Sequence, residues 1–318
     1  MKHLKGQNVN LLLDLAGGSS PVVVASSTTC TFQLQQNVED VSAKDDPGNG
    51  EWGNPQNIYY DWSASNESYL VDTALLFTLL NKVVNGDATV TVQFQVASAY
   101  ATQCSMRGTA IITSLEIQAV IGEKVKVSIS LEGASALASA ALISVTPVSE
   151  IQSKIAGKAL MVAINTGTAE APVWNTIMCS TSHTLTVNIE TDDTRDKDMN
   201  DLACYKEVVG RSVTVGAEAL LPVFSIAPSG NTYSLAYILE AFKNGTTLSL
   251  AFGYYPESIG KTVEQGGTPY SWGEGDAVFL SGPFLCTSLT PATGDNKQDS
   301  KMTAEFQSKG MPTVEIPD

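Results

Sequence analysis

The sequence predicts a mainly β protein with one helix per domain, built as two tandem copies of a single β-sandwich or partial barrel. Three observations predict it. Thr28-Thr29-Cys30-Thr31-Phe32-Gln33-Leu34 returns 153 positions later as Thr181-Ser182-His183-Thr184-Leu185-Thr186-Val187, and at that shift Asp40, Lys44, Asp45 and Trp52 fall on Asp193, Lys197, Asp198 and Tyr205. Short runs alternate polar and apolar residues, the period of a half-buried strand. One stripe of helical period occurs in each half. A repeat of about 150 residues is too long for a solenoid unit and reads as a whole domain.

The elements follow in the same order in each copy. Val9–Leu13 and Leu160–Ile164 open the copies as strands, and Thr28–Leu34 and Thr181–Val187 follow. Long polar stretches come next, 36–60 and 188–211, expected as functional loops because connections of that length are rare inside a domain. Leu76, Leu79, Leu80 and Val83 then form one helix face, and 159 positions later Leu235, Ile238, Leu239 and Phe242 repeat it. Each helix stops at Asn-Gly (Asn85-Gly86, Asn244-Gly245), which suits a left-handed turn. Val90–Val96 and Leu248–Phe252 alternate as strands. Gly108…Thr113-Ser114-Leu115 matches Gly282…Thr287-Ser288-Leu289 at a shift of 174, so the second copy holds an insertion at about 255–272. Strands at Val125–Leu131 and Met302–Phe306 close the copies. The expected organisation is a first domain over 1–135, an Ala/Ser-rich linker over 136–154 and a second domain over 155–314.

Composition bounds the function. The net charge is −15 over 318 residues, and the acidity is shared by both halves. Such a surface repels phosphate backbones and argues against binding driven by counterion release. Five cysteines without a CxxC pair suggest buried free thiols in a reducing compartment. Leu11-Leu12-Leu13 runs into Asp14 and Gly17-Gly18, a poor secretory signal, and no apolar run reaches membrane-spanning length. The expectation is a soluble protein made in the cytoplasm.

The order of these motifs resembles the phage major tail tube protein family, related to the inner tubes of contractile injection systems. The resemblance is carried by Thr28–Leu34 running into Val38-Glu39-Asp40-Val41-Ser42-Ala43-Lys44-Asp45 and Trp52. Trp62-Ser63-Ala64-Ser65, the helix ending at Asn85-Gly86 and the Gly108–Leu115 strand follow, and the set repeats from Gly157 to Gly310. Most members of the family have one domain per chain and six chains per ring, so the resemblance implies that three copies of this chain form a pseudo-hexameric ring. It further implies self-association into a stacked tube, contact with tape measure, terminator and distal tail proteins, and a bore through which DNA passes without specific binding. The virion tail is the implied location, with no membrane.

Catalytic chemistry has little to work with. His3 and His183 are the only histidines, and the repeat puts Cys30 where His183 stands. No GxSxG, P-loop or HExxH occurs. Asp196, Asp198, Asn200 and Glu207 have EF-hand spacing, but Asp201 occupies the turn position that requires glycine, and helical flanks are missing. A solvated acidic loop is the better reading. Neither a cofactor nor a metal is expected. Asp40, Lys44, Asp45, Trp52, Asp193, Lys197, Asp198 and Tyr205 are expected to carry ring-on-ring stacking through the two long loops, their aromatic closers suiting a protein interface. The expectation is therefore a structural subunit and not an enzyme. Its alternatives are another ring-forming tail part, terminator or distal tail protein, or a tandem β-sandwich adhesin or carbohydrate-binding module.

Overall fold

The structure, a computed structural model, describes residues 9–15, 22–23, 27–40, 55–71, 73–96, 104–143, 154–165, 167–169, 171–177, 180–194, 203, 205–220, 235–254, 277–292 and 300–315. It is mainly β, with two α-helices among the described residues.

The first half contains β1 (Val9–Asp14), β2 (Val22–Val23), β3 (Ser27–Asp40), β4 (Pro55–Tyr69), α1 (Thr73–Val84), β5 (Thr89–Val96), β6 (Cys104–Val120), β7 (Lys126–Gly133) and β8 (Ala138–Ser139). The second contains β9 (Leu160–Asn165), β10 (Trp174–Thr176), β11 (Ser180–Asp193), β12 (Lys206–Leu220), α2 (Leu235–Asn244), β13 (Thr247–Tyr254), β14 (Ala277–Ala292), β15 (Lys301–Ser308) and β16 (Thr313–Val314). Hydrogen-bonded neighbours run β3-β4-β7-β6-β5-β1-β2 in the first half and β11-β12-β15-β14-β13-β9-β10 in the second. Strand for strand these are one topology. β8 on β6 and β16 on β14 complete the match.

The repeat extends to a defect. The β6·β7 register shifts between Ile112 and Ser114, and the β14·β15 register shifts between Cys286 and Ser288. The shared Thr-Ser-Leu motif thus places Thr113 and Thr287 at equivalent bulges, where an unpaired residue bends the strand.

Two expectations change. The described ends of the polar stretches, 36–40 with 55–60 and 188–193 with 206–211, are hairpin arms. Gln36 pairs with Tyr60 and Asp40 with Pro55, while Asn188 pairs with Ser212 and Asp193 with Lys206. Val38 and Val209 are exposed on these arms, so the apolar positions do not mark the buried side and the strand period is concealed. The Asn-Gly stops also differ. Gly245 takes φ 62 and Thr246 N donates to Ala241 O, a left-handed cap, whereas in the first copy the left-handed residue is Ala88 at φ 58.

The core is one connected apolar cluster spanning both halves. Trp62 anchors it in the first half. The ring lies against Gly108 and Gly133, whose missing Cβ atoms make room for it, and Nε1 donates to Ser135 O at 2.8 Å. Gln93 and Gln95, both buried, act as a surrogate strand for the segment that follows β8. Gln93 Nε2 donates to Ala141 O (2.8 Å), Gln95 Nε2 donates to Ile143 O (2.8 Å), and Gln95 Oε1 accepts from Ile143 N (3.0 Å). Part of the expected linker is therefore tied down; 144–153 lie outside the described residues.

Candidate assembly interface

The two halves meet by sheet continuation. β6 is long enough to serve two neighbours on one edge: β5 pairs along Cys104–Ile111, and β11 takes over from Ser114 to Val120. The β6·β11 register sets Thr186 against Glu116 and Asn188 against Ser114, with Ile121 N donating to Thr181 O at 2.9 Å. Leu115, Ile117, Leu185 and Val187 are all buried at this seam.

Helix α1 strengthens the seam. It lies against β11, β14 and β16 of the second half, and Phe77 meets Phe279 edge-on with ring centroids 4.5 Å apart. A cleft of about 260 Å³ beside it is lined by Val84, Val187, Arg211 and Val213 among others. α2 lies against β14 of its own half. The helices therefore pack differently, although the sequence repeats the same apolar stripe in both. Leu76, Leu79, Leu80 and Val83 are buried, and so is Ile238, but Leu239 is 51% and Phe242 42% exposed. The side chain of Leu235 lies outside the described residues.

Polar groups pin the seam. Lys206 Nζ sits 2.9 Å from Glu132 Oε2 and 3.8 Å from Asp193 Oδ1, and Thr191 Oγ1 donates to Glu132 Oε2 at 3.1 Å. Arg211 donates to Gly86 O at 2.5 Å, capping the end of α1. Ser114 Oγ donates to Asn188 Oδ1 at 3.1 Å. Close by, Lys301 holds the Glu218 carboxyl below its ordinary range, with Nζ 2.8 Å from Oε1.

His183 lies inside this seam. Its cross-strand partners are Ala119 and Ala217, Nε2 shares a hydrogen bond with Ser180 Oγ (2.9 Å), and Nδ1 has no partner among the described residues. Burial pushes its pKa down to about 4, so the ring is neutral at pH 7. Burial likewise raises the thiols of Cys30 and Cys286. Cys104 is exposed, unlike the buried thiols expected.

Of the expected stacking residues, Asp40, Asp193 and Tyr205 are described, and they sit where the paired arms of the two hairpins end. Asp40 ends β3 opposite Pro55, with its side chain outside the described residues. Asp193 is exposed at the end of β11, and Tyr205 is half-buried, its carbonyl accepting from Thr194 N at 2.9 Å. Lys44, Asp45, Trp52, Lys197 and Asp198 lie outside the described residues, as does the 255–272 insertion. Among the described residues no group of three or more His, Cys, Asp or Glu could hold a metal ion. No helix there is long and apolar enough to cross a membrane.

A segment spanning β1 to β8 matches a known family. Residues 3–139 match the phage tail tube protein family. The resemblance read from the sequence stands on this match, which supports a structural subunit of a phage tail and a place in the virion tail. The second half repeats the strand order of the tail tube segment. Solved structures similar to the chain include the tail of an empty GTA particle, computed with helical refinement in C6 symmetry, and the virion of a native gene transfer agent particle. Each is 16% identical, with 50% of this chain and 98% of the other covered, at a TM-score of 0.34. No curated protein matches the chain in sequence.

Proposed function

We propose that the chain is the tube subunit itself, three copies closing into a pseudo-hexameric ring and rings stacking into a hollow conduit for DNA. One observation carries this reading: the tail tube topology occurs twice in series, and the sheet runs from one copy into the other through β6 and β11. A head-to-tail contact of this kind uses different surfaces on its two sides, so it propagates until it closes. Closure pairs the edge strands that would otherwise promote aggregation. The net charge of −15 suits a bore that DNA crosses without sticking. The two hairpin ends, including Asp40, Asp193 and Tyr205, face the next ring in this reading. The chain works by assembly and not by catalysis, and its other partners are further tail proteins.

Mass photometry with negative-stain class averages tests the reading. Rings of three chains with six lobes are expected, together with tubes at higher concentration. A monomer at every concentration, or a ring of six chains, overturns it.

A further inference from the structure

Each half carries the surfaces that make the internal seam, yet the chain uses only one of each pair. The β11 edge is covered: Leu185 and Val187 are 0% and 1% exposed. At the equivalent places on β3, Phe32 is half-buried and Leu34 is 51% exposed. The C-terminal stretch of β6 is covered, with Ile117 buried, whereas Pro291 at the same place on β14 is exposed. On α1, Leu80 and Val83 are buried, while their counterparts Leu239 and Phe242 on α2 lie open. Three independent elements thus expose in one half what the seam buries in the other.

We infer that one copy of the chain docks on the next by repeating this internal seam between chains. β3 of the incoming copy pairs antiparallel with the free edge of β14, setting Thr31–Gln35 against Ser288–Ala292. The internal pair Thr186 and Glu116 becomes Gln33 opposite Thr290. The Leu239–Phe242 face of α2 then covers Leu34 of the incoming copy, as α1 covers β11 inside the chain. The occupant is a second copy because the internal β6·β11 pairing supplies both the partner surface and its register. Pro291 removes one N–H donor at most from the new ladder.

The polar pins do not repeat. The strand registers place Pro55 where Lys206 stands, Gln307 where Glu132 stands and Tyr60 where Arg211 stands. The contact between chains therefore rests on backbone pairing and apolar cover without the Lys206–Glu132 ion pair. Assemblies come apart between chains and not within them, and rising salt does not drive that dissociation.

This inference rests on the ring reading and names its contact. Disulfide trapping tests it in the full chain, with Cys104→Ser removing the one exposed native thiol among the described residues. Gln33→Cys with Thr290→Cys is expected to give covalent dimers and trimers on oxidation, and neither single variant does. The slipped pair Gln33→Cys with Ala292→Cys should trap at least tenfold less. In parallel, Leu239→Asp should keep the parent melting temperature while rings disappear from mass photometry. A parent chain that never assembles overturns the ring reading and this inference together. If the parent forms rings but the facing pair fails to trap, or the slipped pair traps better, only the register assigned here falls. Rings of Leu239→Asp at parent concentration overturn the role of α2.

Discussion

His183 offers a direct measure of how tightly the seam between the halves is sealed. Burial lowers its pKa from 6.5 to about 4, and its cross-strand neighbours Ala119 and Ala217 carry no charge to offset this. Because the folded value lies below the unfolded one, the unfolded chain takes up the proton first as pH falls. The stability tied to this group is complete above pH 6.5 and is lost progressively down to about pH 4. At about 1.36 kcal/mol per pH unit the full loss is about 3 kcal/mol, of which about 2 kcal/mol is gone by pH 5. His183→Cys, which installs the residue that the first copy carries at Cys30, removes the titration. Urea unfolding of parent and variant between pH 7.5 and pH 4 reads the difference directly. Carboxylates such as Asp87 and Glu218, both lowered in the folded state, contribute equally to the two proteins and cancel. The difference between parent and variant should shrink or reverse by about 2 kcal/mol on going to pH 5. Parallel stability curves would mean that the native seam admits a charged imidazole, and the sealed-seam argument would fail.

Further outcomes follow from the same contacts. Leu80→Asp should unfold the chain or cost several kcal/mol, since a carboxylate placed in a fully buried helix face lacks a partner; circular dichroism melts against Leu239→Asp, at an exposed site, read the contrast. Trp62→Ala should cost about 3–5 kcal/mol in urea unfolding, because Gly108 and Gly133 cannot fill the space the ring leaves. Deleting residues 41–50 should leave melting and rings intact and stop tube elongation in negative-stain images, and Trp52→Ala should shorten tubes. Long tubes from the deletion variant would refute a stacking role for the first hairpin.

What the sequence discloses and what it hides differ for physical reasons that individual residues make plain. The duplication is legible because the β3 and β11 strands keep the same alternation and because Thr113 and Thr287 occupy the same bulge. β4 escapes notice because its inward positions are not all apolar. Trp62 and Ala64 point in, but so do Asn66 and Ser68, Asn66 donating to Ser27 Oγ at 2.6 Å, and such a pattern does not read as a strand. Gln93 and Gln95 are hidden for the converse reason: they occupy the polar side of an apparent amphipathic strand, yet they are buried under 141–143. The helix faces show where sequence reasoning must stop. Leu80 and Leu239 stand at the same step of the same stripe, and no local rule separates them, yet one is sealed and the other open. The stripe records which side of the helix is apolar, while the neighbour that covers it is set elsewhere, for α1 by the other half of the chain. An apolar residue kept at a matched site in both copies, but buried in only one, therefore marks the surface on which assembly of the tail should act.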